Sequence, residues 1–204
     1  MKVMLRNVPL SFPTLFVPTS VEEGQTKYYS VTLPIEPNSP NHKAITAAID
    51  EAAKEAWGGI KNKKGESQWK EILEACRAKG DISFVEAPKT DKNGDVYDGF
   101  EGMFTARCSR PEKDGPPKVF DGRKDDIMAN DSRIYSGAIC NVQVDIWALE
   151  PRGKGISRRV SLKLLAVQYV KEGEAFGGGA RASKDDFEEI EEADSFEADA
   201  DDLG

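Results

Sequence analysis

The residues of this chain that are best suited to bind a ligand lie in one alternating segment, residues 133–149. Its even positions are nearly all apolar, whereas Tyr135 and Trp147 stand at odd positions among polar side chains. A strand with this pattern buries its even positions and turns the odd ones outward. An exposed aromatic ring can stack on a nucleic-acid base, at about 1–3 kcal/mol per base. Tyr135 and Trp147 are therefore candidate stacking platforms, although Trp147 could instead pack under a helix or loop and Tyr135 could anchor the rim of a barrel.

A third aromatic candidate, Tyr28, opens an earlier segment with the same alternation. Apolar residues fall on one face of residues 28–33, and Tyr28 falls on the other face with small polar residues. The pattern predicts a half-buried strand that presents the Tyr28 ring to solvent.

Basic residues gather in the two connections that border the alternating segment. A groove for single strands needs such cations to hold the phosphates, although a run of charge is often only a solvated surface. The candidates before the segment are Lys118, Arg123 and Lys124, and those after it are Arg152, Lys154, Arg158 and Arg159. Arg107 and Arg133 stand on the polar faces of their predicted strands and would extend the same groove.

The net charge of −8 argues against a nucleic-acid partner only until it is divided along the chain. Residues 185–204 hold eleven acids and no Lys or Arg, so the other 184 residues carry 28 basic and 25 acidic groups. The body is therefore about +3, and the acidity belongs to the tail. Such an asymmetry is typical of a separate interaction tail.

The tail defines the predicted organisation of the chain, with a binding domain at 1–182 and a flexible acidic tail at 183–204. The tail is expected to recruit replication or recombination proteins. The residues proposed for these contacts are Phe196, Asp199, Asp201, Asp202 and Leu203. When the groove is empty, the tethered acids are expected to compete with DNA for its cations, because tethering gives them a high effective concentration.

Enzyme signatures are weak in this sequence. The phosphate-binding motif GxxxxGK[ST], a GxGxxG after a strand and the hydrolase motif GxSxG are all absent. The three cysteines and the one histidine are widely separated and include no CxxC pair, so we predict no metal and no cofactor. Four acids between residues 121 and 131 could hold magnesium for a nuclease, but they lack a fixed spacing.

Hydrophobic periodicity predicts a mostly β body with two inserted helices. Residues 41–57 follow a helix start signal at Asn41, and Trp69 begins a second apolar stripe that Gly80 ends. The expected strands cover residues 10–17, 28–33, 82–86, 100–108, 133–149 and 160–170, with 82–86 and 100–108 as a hairpin. Gly137 would bend the seventeen-residue strand 133–149 so that it serves two sides of a barrel.

These features together resemble the OB-fold single-stranded-DNA-binding proteins of tailed phages. The resemblance rests on SFPTLFVP, KYYSVTLPI, IDEAAKEA, IYSGAICNVQVDIWA, GISRRVSLKLLAVQYVKEGEAFGGG and the acidic end. It covers most of residues 8–204, in matching order and spacing.

The resemblance implies an OB-type barrel of five strands with inserted helices, whose concave face and loops hold the strand. It also places Tyr135, Trp147 and the basic loop through Arg158 near the groove. Related replication proteins often end their acidic tails in an aromatic or apolar residue that docks in a partner. This chain departs from that pattern, because it ends Asp-Asp-Leu-Gly.

We therefore predict a protein, not an enzyme, that binds and protects single-stranded DNA during phage replication or recombination. The alternatives are an adaptor of the same fold that binds proteins and, more remotely, the metal-dependent nuclease. No apolar run approaches the roughly 20 residues that span a bilayer, so we expect no membrane contact and a location in the host cytoplasm. A homodimer is allowed, and an exposed barrel edge or a self-complementary patch would serve it equally.

Overall fold

The structure, a computed structural model, describes residues 1–20, 22–151 and 157–177. It is mostly β, with eight strands, two α-helices and one short 3-10 turn at Glu112–Asp114. The strands are β1 Lys2–Pro9, β2 Ser11–Thr19, β3 Tyr28–Ile35, β4 Phe84–Val85, β5 Phe104–Pro111, β6 Lys118–Phe120, β7 Ile139–Leu149 and β8 Arg159–Lys171. The helices are α1 Pro40–Trp57 and α2 Trp69–Lys79.

All eight strands belong to one mixed sheet with the order β1-β7-β8-β5-β3-β2. β5 and β8 run parallel, as do β6 and β8, and the other pairs are antiparallel. The strands at the two ends of this path, β1 and β2, are consecutive in the chain. Leu10 joins them and bonds through its backbone to Gly137 and Ala138. The first stretch of chain therefore pairs with β7 through one half and with β3 through the other.

The core lies where the alternating faces of the long strands meet. The side chains that form this core are at most 1% exposed: Val142, Val144 and Ile146 of β7, and Leu162 and Leu164 of β8. Their neighbours at odd positions stay partly exposed. This two-residue period buries one face of the sheet and leaves the other face polar.

The two helices cover part of this core. Ser39 caps α1 by accepting a hydrogen bond from the backbone N–H of His42 at 3.2 Å, and Pro40 follows at the first turn. α1 packs against β7 and β1, and the indole of Trp57 donates to the carbonyl of Leu149. α2 ends at Gly80, which adopts the left-handed conformation at φ 74°. Among the described residues, no helix combines the length and apolar character needed to cross a membrane.

The prediction of five strands is wrong, because the structure has eight. The predicted strand at 10–17 corresponds to β2 alone. β6 is a strand of three residues inside a stretch that looked like a loop. The prediction also missed β1, where polar Arg6 and Asn7 break the alternation and Asn7 has a positive φ of 52°.

The predicted strand at 133–149 is also wrong in its first third, because β7 begins at Ile139. Gly137 has φ 112°, and a side chain there would overlap the backbone carbonyl of Glu174. The chain turns at this glycine instead of extending through it. Arg133 and Tyr135 therefore do not share a strand face with Trp147.

Candidate nucleic-acid interface

The polar face of the sheet collects outward residues from four neighbouring strands. On β3 and β5, Thr32 lies beside Arg107. The parallel register then places Ser109 of β5 beside Lys163 of β8. On β7, Trp147 lies beside Ser161 of β8. Side chains that are distant in sequence thus share one surface because the strand order brings β3, β5, β8 and β7 together.

Two joined depressions of about 640 and 760 Å³ run along this face, and we call them together the cleft. They share Tyr28, Ser109, Arg159 and Ser161. The aromatic and basic residues that line the cleft are Tyr28, Lys89, Arg107, Lys113, Trp147, Arg159 and Lys163. Four of the predicted site residues therefore come together here: Tyr28, Arg107, Trp147 and Arg159.

Five basic residues line the cleft against three acids, Asp81, Asp114 and Asp145, so the cleft holds an excess of positive charge. Lys163 pairs with Asp114 at 2.7 Å, and Asp145 pairs with the terminal amine of Met1 at 2.7 Å. Within the described residues, Arg107, Lys113 and Arg159 form no ion pair with a carboxylate. These cations are left to attract an anion from solution.

The cleft also contains Lys89, whose charged form is destabilised by its surroundings. Its burial, and then the nearby guanidinium of Arg107, lower the pKa of its ammonium group below the ordinary lysine value. Both causes penalise the charged form. A bound phosphate would offset both, because it supplies the opposite charge at the point where two cations face each other.

The aromatic residues of the cleft stand as the sequence predicts. Trp147 is on the outward face of β7 and only partly buried, and Tyr28 is 39% exposed at the start of β3. Both line the second depression, together with Arg159. Flat rings beside unpaired cations are the two components that sequence-tolerant binding of single strands requires.

Arg133 lies elsewhere and is already paired. Its guanidinium contacts Asp131 at 2.7 Å and Asp121 at 3.3 Å, and it lies over the ring of Tyr169. Hydrogen bonds from Arg133 hold the pKa of Asp131 below its usual range, and backbone donors in the 121–125 turn do the same for Asp121. The two carboxylates raise the pKa of Arg133 in turn. Its N–H groups and one of its faces are thus engaged by the protein itself.

Lys118, Arg123 and Lys124 belong to the same part of the molecule as Arg133. We call residues 118–133 the β6 region, and it holds four basic and four acidic residues. The carboxylate of Asp121 accepts backbone hydrogen bonds from Arg123 and Asp125, which closes the turn. None of the three basic residues lines the cleft. Their predicted contact with DNA stays a prediction.

Tyr135 packs against the core and not on the polar face. Its hydroxyl donates to the carbonyl of Gly173 at 2.9 Å and accepts from the N–H of the same residue at 3.0 Å. It thereby ties the turn before β7 to the chain that leaves β8. This is the anchoring role that the sequence left open beside stacking.

The second basic connection is only partly described. Arg158 makes a two-pronged ion pair with Glu150 at 2.8 Å, whereas Arg159 faces the cleft. Arg152 and Lys154 lie outside the described residues, as does the whole predicted tail with Phe196, Asp199, Asp201, Asp202 and Leu203.

The described residues contain no group of three or more His, Cys, Asp or Glu placed to hold a metal ion. The three thiols are buried within the fold. Burial raises the pKa of Cys108 and of Cys140 to about 12, so both remain protonated at neutral pH.

The whole chain also matches a known protein family. The family model described as the single-stranded-DNA-binding protein of Enterobacter phage Enc34 matches residues 1–197. The chain belongs to this family. Protein p50 of Acyrthosiphon pisum secondary endosymbiont phage 1 is 32% identical over 198 residues, which cover 97% of this chain and 98% of p50.

Solved structures share the fold of this family member. The single-stranded-DNA-binding protein from bacteriophage Enc34 in complex with single-stranded DNA superposes with a TM-score of 0.62 at 22% identity, covering 86% of this chain and 89% of that one. The gp2.5 single-stranded-DNA-binding protein of bacteriophage T7 superposes with a TM-score of 0.51 at 18% identity, covering 96% and 100%. The resemblance read from the sequence motifs is confirmed.

Sequence reasoning missed three cations of the cleft, Lys89, Lys113 and Lys163. Lys163 stands at an odd position of a strand whose even positions are apolar, so its outward direction could have been predicted. Lys89 and Lys113 lie in connections, where no period indicates a direction. Lys163 reaches the same surface as these two lysines through the pairing of β5 with β8.

Proposed function

We propose that this chain binds single-stranded DNA in the cleft, without chemistry, and so coats and protects the strand. Phosphates contact Arg107, Arg159 and Lys89, and bases stack on Trp147 and Tyr28. The single observation that carries the proposal is that these unpaired cations and exposed rings occupy one continuous face. Membership of the family supports it.

We also infer that the sheet closes as an OB-type barrel. Counting β1 and β2 as one bent strand leaves five long strands in a ring: β1/β2, β3, β5, β8 and β7. The bend at Leu10 lets the first strand pair with both of its neighbours, and β5 and β8 are parallel. Barrels of this kind bind nucleic acid across their strands and adjacent loops.

The biological setting belongs to the same proposal. A coat on single strands serves phage DNA replication or recombination in the host cytoplasm, with residues 1–182 as the binding domain and 183–204 as the tail. The tail recruits partner proteins and competes for the empty cleft, since its eleven acids belong to the same chain as the cations of the cleft. Deleting 185–204 is expected to tighten DNA binding and weaken partner capture, and unchanged affinity would contradict the competition.

A gel-shift series tests the proposal against its rivals. Labelled single-stranded and duplex oligonucleotides are compared with the full chain over a range of salt concentrations, with magnesium present. Preferential retardation of the single strand, lost steeply as salt rises, is the expected result because phosphate contacts release counterions. No shift at low salt would indicate the protein-binding adaptor, and shortened DNA would indicate the nuclease.

A further inference from the structure

An exposed pair of aromatic rings lies beyond one end of the cleft. The rings of Phe12 and Tyr97 meet edge to face at 5.1 Å, and they are 45% and 36% exposed. Neither residue was singled out from the sequence, and neither lines the cleft. Two adjacent exposed rings offer an aromatic surface of the kind on which bases stack.

The backbone at Phe12 holds its ring outward at an energetic cost. Phe12 has φ 50°, a left-handed conformation that bulky residues rarely adopt. The register of β2 on β3 shifts between Ser11 and Thr14, so Phe12 stands at an irregularity of the strand. The N–H of Phe12 donates to the hydroxyl of Ser136. Strain kept at a position that exposes an aromatic ring points to function more than to packing.

Lys89 connects the two rings to the cleft. Its ammonium nitrogen lies 5.4 Å from the centre of the Phe12 ring and 5.6 Å from that of Tyr97. The same side chain lines the cleft and faces Arg107. The backbone N–H of Tyr97 donates to the carbonyl of Lys89 at 3.0 Å, which fixes ring and cation together. The register gives the same continuity, since Ser11 lies beside Thr32 and Thr32 beside Arg107.

We propose that Phe12 and Tyr97 form a second stacking platform, on which a base at one end of the bound strand rests after its phosphates pass Arg107 and Lys89. The proposal rests on the proposed function and extends it by giving the strand a path. Trp147 and Tyr28 hold bases toward one end of the cleft, and Phe12 and Tyr97 hold a base at the other.

Acidic residues mark where this path stops. Asp91, Asp95 and Asp98 line a separate depression together with the two rings, and Arg107 does not line it. Asp91 accepts backbone hydrogen bonds within its own turn, and Asp98 accepts one from Gly177. Their charge repels a further phosphate, so the platform is the end of the site and not its middle.

The experiment measures the affinity of the protein for two oligo-dT strands, one of about 5 and one of about 16 nucleotides. A single barrel domain of this kind covers about 4–16 nucleotides, so the longer strand spans the whole site. Three variants are compared with the full wild-type chain: Phe12→Gly, Tyr97→Ala and the control Val17→Ala, which removes an exposed apolar side chain of β2 that is 68% exposed. Glycine adopts the positive φ of residue 12 without strain, so Phe12→Gly is not expected to lower the thermal unfolding midpoint. An unchanged midpoint therefore verifies that this variant is folded.

The two ring variants are expected to bind the short strand like the wild type and to lose about fivefold or more of the affinity for the long one. Val17→Ala is expected to bind both lengths normally. Wild-type affinity of both ring variants for the long strand would overturn the platform while leaving the proposed function intact. A wild-type chain that binds neither length at low salt would overturn both.

Discussion

The cleft and the β6 region contain similar numbers of basic residues but use them differently. In the β6 region, Arg133 is held between Asp121 and Asp131, and acids equal bases over residues 118–133. In the cleft, Arg107 and Arg159 form no ion pair within the described residues, and Lys89 faces another cation. A count of basic residues therefore does not identify an anion site. What distinguishes the cleft is its excess of cations, five against the three acids that line it, beside aromatic rings.

The difference also leads us to expect different roles for two aromatic residues. Tyr135 has its hydroxyl bonded twice to Gly173, whereas Trp147 lies on the open face beside Arg159. A ring whose polar group and edges are occupied by the protein has little left to offer a base. Variants that remove the same kind of side chain from the cleft and from the β6 region test this difference.

The largest effect is expected from removing the two unpaired arginines. Arg107→Gln with Arg159→Gln is expected to weaken binding of oligo-dT about 10²-fold or more, since each hydrogen bond to a charged group contributes about 1.5–3 kcal/mol. The salt dependence should fall by roughly 1.4 in logarithmic slope, from two lost phosphate contacts. The matched pair Arg123→Gln with Lys124→Gln is the control, and an equal loss there would contradict the comparison.

Trp147→Ala is expected to have the next largest effect. Loss of one stacked base costs about 1–3 kcal/mol, or roughly 5–150-fold in affinity, with an unchanged salt slope because no charge is removed. Trp147→Phe should restore most of the affinity. Fluorescence anisotropy with labelled oligo-dT measures both, and full affinity of the alanine variant would remove Trp147 from the site.

Lys89 should give the binding a dependence on alkaline pH. Its pKa is lowered in the free protein, and a bound phosphate favours the charged form and raises that pKa. Binding therefore takes up a proton at pH values between the two pKa values, and affinity falls as pH rises through the lowered pKa of the free protein. Oligo-dC is the probe, because thymine itself ionises in alkaline solution.

Two substitutions at Lys89 check the assignment. Lys89→Gln is expected to lower the affinity for oligo-dC about tenfold at neutral pH, which is the lower end for loss of a hydrogen bond to a charged group. It should also flatten the dependence of affinity on pH. Lys89→Arg keeps its charge and should also flatten the profile while retaining affinity. A wild-type profile in either variant would assign the pH dependence to another group.

The smallest effect on affinity is expected at Tyr135, where stability should change instead. Tyr135→Phe removes a hydroxyl that both donates and accepts, at about 0.5–1.5 kcal/mol for each hydrogen bond. Urea unfolding should show the loss, and oligo-dT affinity should not move. A drop in affinity without a drop in stability would return Tyr135 to the DNA site.

The local pattern of apolar and polar residues was enough to predict several of the strands and helices that form the cleft and cover the core. The alternation from Val160 onward predicted β8, the alternation from Tyr28 predicted β3, and the Gly80 stop predicted the end of α2. The start of α1 was predicted to within one residue, although Ser39 and not Asn41 is its N-cap. Trp147 and Arg107 were assigned to outward faces by the same two-residue period. These are short-range signals, and the fold agrees with them.

The remaining features depend on contacts between distant residues. Gly137 turns the chain because the backbone of Glu174 approaches it, and nothing near Gly137 in the sequence reveals that. The ion pairs of Arg133 with Asp121 and Asp131 likewise depend on the assembled fold. Lys163 joins the cleft through the parallel pairing of β8 with β5. Partners and pairings of this kind are set by the assembled sheet.

Photocrosslinking is the most direct test of the claim that the cleft holds the strand. Oligonucleotides carrying bromodeoxyuridine are bound to the full wild-type chain and irradiated, and the attached residues are read by peptide mass spectrometry. The account predicts attachment at Trp147 and Tyr28. Attachment at Tyr135 or Tyr169, with none in the cleft, would contradict it.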